Sequence, residues 1–395
     1  MMKFVVLLLV MSCFTSTFAQ KDSLTQVKQE QILTAKTKGS LPFLKYGPGI
    51  DRLGGAKMTY LDTAIVLYVV DSLRDDYIVR LSGNHKAFIP KENVSFIADI
   101  RKPDYYLVSS WKVSGDEKQD YVAISLDERL PYKSQQLISP SRIVVDIYGA
   151  TGNTNWLTQL KSAKEIKNVY HEQIEDDVFR VTIEMKHNQH WGHSIKYKNK
   201  TLIIAVKQQP EHLAISHLKI AIDAGHGGAA SGAVGVKSRI EEKIFNLQIA
   251  KELEKYLKHR GAEVYLTRNT DIDVSMTERT LMLRDAQPDI LISIHHNAGS
   301  NTNVRGVSTY YRYVGFKPLS VSVLNRMLEL GLTEFGLIGS FNFSLSGPTE
   351  YPNCLVEVAF LSNEEDEKLI TDPRFQTNVA KKIRKGVIDW VRSAR

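Results

Sequence analysis

Cysteine is nearly absent from this chain: two in 395 residues, Cys13 and Cys354. Cys13 lies in the N-terminal leader, so a chain processed after Ala19 keeps one thiol and has no intramolecular disulfide. Long apolar runs are missing too. Beyond the N-terminus nothing approaches 18 consecutive apolar residues, so no membrane span is expected. There is no Lys/Arg run and no RNA-binding motif, so nucleic acid is not the expected partner despite a net charge of +7. Gly-x-Ser-x-Gly, Walker A and His-Glu-x-x-His are all absent, which removes three familiar routes to hydrolase or nucleotide chemistry. What remains, 43% hydrophobic and 24% charged residues, is the composition of a globular protein whose positive balance suits an anionic polymer such as bacterial wall.

A chain of 395 residues is too long for one ordinary core, so two or three domains are expected. Residues 1–19 read as a secretory signal peptide: Lys3, an apolar run Phe4–Met11, then Thr17-Phe18-Ala19 at the cleavage point. The expected location is therefore across the inner membrane, periplasmic or wall-associated. A lipoprotein signal with Cys13 as the lipidated residue is the rival reading. Residues 20–39 are polar and read as a linker. Residues 40–99 carry short strand-like runs (KMTYL, AIVLYVV, YIVRLS, HKAFIP, NVSFIA) punctuated by Gly, Asn and Asp, which predicts a small all-β unit. Residues 100–208 form a second β-rich block with alternating VAISLD, SRIVVDIYGA, VFRVTIEM, HSIKYK and TLIIAVK. Within it, His187, His190 and His193 cluster beside Trp191, and a surface β-loop is the expected setting.

After a short Pro-containing linker the grammar changes. LKIAID reads as a strand. EEKIFNLQIAKELEKYLKHRG reads as a helix, with Phe245, Ile249, Leu253 and Leu257 at i,i+4 spacing and Gly261 as a stop. AEVYLT, DILISIH, GVSTYY and CLVEVAF are further strands. SMTERTLMLRDA opens with a capping box, Ser275 to Glu278. A last helix covers about 374–393. This alternation predicts, over 216–395, an α/β domain with a largely parallel sheet flanked by helices, preceded by all-β domains.

Four segments carry candidate chemistry. His226 follows an apolar strand and precedes Gly227-Gly228, at the strand end where α/β sheets gather ligands. His295 ends another apolar strand and falls on the same sheet edge, while His296 points to the other face. Glu242 opens the long helix, where a carboxylate gains from the helix dipole even without a metal, and Glu241 competes with it. Glu357 sits inside apolar CLVEVAF, where an unpaired carboxylate is costly and needs a metal, a cation or a proton. Cys354, three residues earlier, falls on the opposite strand face. Two histidines, a glutamate and a further glutamate are the inventory of zinc hydrolysis: three N/O ligands and a carboxylate base.

These segments closely resemble, in order, those of zinc-dependent N-acetylmuramoyl-L-alanine amidases of the third amidase family. The matching stretches are Asp223-Ala224-Gly225-His226-Gly227-Gly228, Glu242-Lys243 to Asn246-Leu247, Ser293-Ile294-His295-His296-Asn297-Ala298, and Val356-Glu357 to Ser362-Asn363. TRNTD (267–271) and GVSTYY (306–311) also look like family segments. The resemblance implies His226, Glu242 and His295 as Zn2+ ligands and Glu357 as catalytic acid/base. It implies cleavage of the amide between N-acetylmuramic acid and L-alanine in peptidoglycan. Ala224 and Ala359 stand where the family has Pro and Gly; neither change removes a functional group. Residues 100–208 resemble the AMIN domain and 40–99 the bacterial SH3-like domain, which implies that the front half holds the enzyme on the wall. Some relatives carry an extra helix that plugs the site until an activator removes it. Here the segment after Tyr311 holds one scaffold helix, about Pro318–Phe335, and a loop, so no activator protein is expected to be required.

Overall fold

The computed structural model describes residues 32–49, 54–98, 103 and 105–394. The leader with Cys13, and the first part of the expected linker, lie outside the described residues. The front half is all-β. Strands β1 (Leu33–Thr37), β2 (Phe43–Lys45), β3 (Lys57–Tyr60), β4 (Val66–Leu73), β5 (Asp76–Arg80), β6 (Lys86–Pro90) and β7 (Val94–Phe96) form an antiparallel sheet in the order β3-β2-β6-β5-β4-β1-β7. The expectation of a linker through residue 39 is thus corrected: Leu33–Thr37 is a strand between β4 and β7. Its five residues are too few and too polar to announce themselves. Ala35 alone reaches the core fully, and pairing on both sides fixes the rest.

The second block contributes β8 (Tyr106–Gly115), β9 (Gln119–Leu126), β10 (Tyr132–Ile138), β11 (Ser141–Tyr148), β12 (Ala150–Gly152), β13 (Leu157–Gln159), β14 (Ile166–Glu175), β15 (Val178–Met185), β16 (His193–Lys198) and β17 (Thr201–Lys207). They make a sheet β10-β11-β15-β14 and a sheet β12-β8-β9-β17-β16, with β13 against β8. Inward residues of both front blocks, from Ala35 and Ile65 to Val145 and Val206, form one continuous core.

The last part supplies β18 (Lys219–Ala224), α1 (Glu242–Lys258), β19 (Glu263–Leu266), α2 (Met276–Ala286), β20 (Ile290–Asn297), β21 (Val307–Tyr310), α3 (Lys317–Leu328), β22 (Glu334–Ile338), β23 (Asn353–Phe360), α4 (Glu364–Ile370) and α5 (Pro373–Ser393). Its sheet runs β19-β18-β20-β23-β21-β22, parallel except between β21 and β23. The apolar stripe Phe245, Ile249, Leu253 and Leu257 of α1 is buried, and the expected capping box of α2 is present. One expectation fails here. The helix drawn over Pro318–Phe335 ends at Leu328, because Gly331 at φ +78° turns the chain. The residues beyond it pair in parallel with β21 as β22.

The expected surface setting of the histidine cluster holds for His187, which is exposed, and fails for the other two. His190 and His193 are each 1% exposed. His190 Nε2 lies 2.9 Å from the Leu137 carbonyl and His193 Nε2 2.9 Å from Ser134 Oγ, while His187 Nδ1 pairs with Glu165 at 2.7 Å. They turn toward separate partners and do not converge on a metal. Burial drives the His193 pKa down to about 3, so it packs as a neutral ring. Trp191 between them enters the core of the α/β part and meets Trp390 of α5 at 4.9 Å. Trp191→Ala is expected to cost about 3–5 kcal/mol of stability. Denaturant unfolding checks this, and a loss under 1 kcal/mol would mean the front half is not locked to the rest there.

Candidate metal centre

Sheet register assembles the site. Asp223 and Ala224 of β18 pair with Ser293 and Ile294 of β20, so both strands end at one level. The next residues are Gly225-His226 on one strand and His295 on the other. On the far side His295 pairs with Glu357 of β23, so these two side chains share a sheet face. Glu242 arrives at the first residue of α1, whose N-terminus points at the same edge.

His226, Glu242 and His295 each offer one potential ligand atom, and these atoms all lie within 4.8 Å of one another. His226 Nε2 is 3.2 Å from Glu242 Oε2, and His295 Nδ1 is 3.0 Å from Glu242 Oε1. Glu242 is buried and heavily solicited. It accepts from the Ala233 N–H at 2.8 Å, the His296 N–H at 3.0 Å and Asn246 Nδ2 at 3.0 Å. Burial alone would raise its pKa, but hydrogen bonds from His226 and His295 outweigh it and hold the carboxyl far below the usual range. For His295 burial pushes down and Glu242 pushes up; the net direction is up. The other nitrogen of His295, Nε2, is buried with no hydrogen-bond partner among the described residues. Two imidazoles and an ionised carboxylate converging in this way can hold a divalent metal. Glu241, the competing carboxylate, occupies the N-cap position without a side-chain capping bond and pairs with Lys243 at 3.0 Å.

Glu357 is half-buried and lines the same open pocket of about 500 Å³, together with His226, Glu242, His295, Leu355, Phe341 and Phe343. Cys354 faces away and is 1% exposed; burial pushes its thiol up to about 12, so it offers no nucleophile. His296 is buried, with Nδ1 2.8 Å from Asn246 Oδ1, and burial lowers its pKa to about 4. It therefore stays neutral and braces Asn246.

Several residues without an assigned role hold this arrangement. Gly225 lies flat against His295: a Cβ there would meet the ring at 2.2 Å. His226 itself sits at φ +61°, uncommon for a residue with a side chain. Two arginines fix that turn. Arg268 donates to the carbonyls of Ala224 at 2.8 Å and Gly225 at 2.9 Å. Arg279, 1% exposed, donates to the His226 carbonyl at 2.7 Å and pairs with buried Asp223 at 2.6 Å. Despite burial, Arg279 keeps Asp223 below its ordinary range. Arg268 lies in the TRNTD segment and Asn246 is four residues after Glu242, on its helix face, so both had a visible signal. Arg279 had none, because it sits inside an ordinary amphipathic helix. Gly225→Ala should displace His295 and weaken metal binding by roughly 10–100-fold, the range for supporting residues. Competition with a chromophoric chelator checks this; unchanged affinity would mean the ring has room to move.

The comparisons with known proteins fall on the same residues. Residues 220–389 match the family described as N-acetylmuramoyl-L-alanine amidase, and residues 110–207 match the AMIN domain. The chain is 32% identical over 178 residues to the N-acetylmuramoyl-L-alanine amidase LytC of Bacillus subtilis, covering 44% of this chain and 35% of that protein. It spans between about a third and a half of the length of the curated relatives it matches. Among solved structures, the catalytic domain of the amidase CwlV from Bacillus (Paenibacillus) polymyxa var. colistinus is 33% identical. That match covers 45% of this chain and 99% of that one, with a TM-score of 0.41. The N-acetylmuramoyl-L-alanine amidase from Clostridium difficile 630 is 30% identical, covering 45% and 98%, with a TM-score of 0.43.

Proposed function

Through residues 220–389 the chain belongs to the N-acetylmuramoyl-L-alanine amidase family, and from that premise we propose that it is a zinc-dependent peptidoglycan hydrolase. It cleaves the amide joining the lactyl group of N-acetylmuramic acid to the L-alanine of the stem peptide. The observation that carries this reading is the convergence of His226, Glu242 and His295 in a pocket shared with Glu357.

The donor set fits zinc. Two imidazoles and an ionised carboxylate are donors that zinc takes, and one donor atom from each residue lies within 4.8 Å of the others. His226, Glu242 and His295 are the proposed ligands. When bound, zinc supplies Lewis acidity, which activates a water and polarises the scissile carbonyl. Glu242 stays ionised and holds both imidazoles in place. Glu357 takes the proton from the attacking water and delivers it to the departing L-alanine nitrogen, which leaves as an amine. Asn246 and His296 keep Glu242 from rotating, and Arg268 and Arg279 keep the His226 turn closed.

Residues 100–208 are read as an AMIN-like domain and 40–99 as an SH3-like unit, both serving attachment to peptidoglycan. The location that follows is outside the inner membrane, in periplasm or wall. Among the described residues no helix is long and apolar enough to cross a membrane. Within 312–345 the only α-helix among the described residues is α3, and the proposal is basal activity without an activator. Amino-terminal analysis of digested sacculi tests the bond assignment. Free stem peptides beginning with L-alanine are expected. New amino termini at any other stem residue would replace the amidase reading with that of a wall peptidase.

A further inference from the structure

The front half does more than stand beside the site: it grips the segment that walls it. Phe341 and Phe343 line the pocket with the proposed ligands, and the Phe343 ring meets His295 edge-on at 5.5 Å. Phe341 packs on Tyr310 at 4.6 Å and lies nearly parallel to Phe343 at 6.3 Å. Between them, Asn342 reaches the other way, to β3, the edge strand of the seven-stranded sheet. Asn342 Oδ1 accepts from the Lys57 N–H at 3.1 Å, and Asn342 Nδ2 donates to the Gly55 carbonyl at 3.2 Å. The side-chain amide therefore supplies the donor and acceptor that a neighbouring strand would otherwise present to this edge. Arg312 reinforces the join by donating to the Lys57 carbonyl and to Asn342 Oδ1. Two residues beyond Asn342, the Ser344 carbonyl accepts from the Tyr60 hydroxyl at 3.3 Å, and Thr349 exchanges backbone and side-chain hydrogen bonds of 2.8 Å with His193.

We propose that Asn342 is a positioning residue: by docking on β3 it sets the Phe341–Phe343 wall, and that wall receives the methyl groups of the lactyl and alanyl units flanking the scissile amide. The substrate part of this proposal rests on the amidase reading above. The chemistry is plain. The two groups on either side of that amide are small and apolar, and the wall is the large apolar surface beside the ligands. A wall held by the front half makes substrate recognition depend on residues about 285 positions away in sequence.

The test uses the full chain, three single variants and one double variant. Asn342→Ala should raise KM for a soluble muramoyl-L-alanyl peptide about tenfold with kcat and bound zinc little changed, since misplaced contacts reduce binding before chemistry. Asn342→Asp keeps the acceptor for the Lys57 N–H and Arg312 and should recover most of the loss. Phe343→Ala should reproduce the KM effect, and adding Asn342→Ala to it should cost little more, because both act through one wall. Peptide-resolved hydrogen exchange gives a readout independent of turnover: in Asn342→Ala, residues 339–347 should exchange at least about tenfold faster while β18 and β20 stay protected. Unchanged exchange, wild-type KM in folded Asn342→Ala, or fully additive losses in the double variant would overturn the proposal. If the wild-type protein does not cleave the muramoyl–alanine bond, the amidase reading fails instead, and hydrogen exchange still decides whether Asn342 holds the wall.

Discussion

Glu357→Gln is expected to lower kcat about 10²–10⁴-fold, the usual contribution of a general acid–base group, while leaving zinc content and folding intact. The substitution keeps shape and removes the ability to take a proton. Its backbone cost is small, because Glu357 is already paired on both sides, with His295 of β20 and Ser308 of β21. Its position is half-buried, so the amide needs no new cavity. The proposed zinc ligands are other residues, so metal analysis should read the same as for the wild type. A near-normal kcat in a folded variant with full zinc would remove Glu357 from the mechanism.

The second large effect is metal loss. His226→Ala and His295→Ala should each leave the protein without stoichiometric zinc after dialysis, with turnover falling to the background of the metal-free chain. The two differ in stability. His226 is partly exposed, and its loss opens the pocket to water. His295 is buried against Gly225 and Phe343, so its truncation also leaves a cavity and should lower the thermal midpoint further. Protons compete with the metal for the same atoms. Glu242 stays ionised because its pKa is held far below the ordinary carboxylate range, so it does not set the acid limit. His295 has a raised pKa, so its charged form persists to higher pH than in a free imidazole, and zinc affinity should weaken as pH falls toward acid. Metal analysis across a pH series reads this directly. Full zinc retention in either variant would mean that the ligand set is different.

The α/β part was legible because its elements are long and strongly patterned. The α1 stripe, the capping box of α2 and the apolar strands ending in His226 and His295 each carry their own signal. The candidate site residues carried signals of their own: His226 and His295 stand near strand ends, Glu242 opens a helix, and Glu357 is a lone carboxylate inside an apolar strand. Glu242 over Glu241 was less legible, since both open the same helix; packing against His226 and His295 separates them. What stayed hidden depends on contacts distant in sequence. β1 is a strand through pairing with β4 and β7, and Arg279 is placed by the turn it holds. His190 and His193 are buried where Trp191 between them enters the α/β core, and no local pattern states that. The aromatic wall belongs to an irregular segment whose placement is set by β3, more than 280 residues earlier.

The central claim is a single zinc site that drives amide hydrolysis, and a metal titration tests it most directly. Zinc is added in steps to the chelator-treated, purified chain, and released L-alanyl amino termini are counted at each step. The expected result is no release without metal, a linear rise to one zinc per chain, and a plateau beyond it. Full release before any zinc is added, or no release at one equivalent in a folded protein, would contradict it.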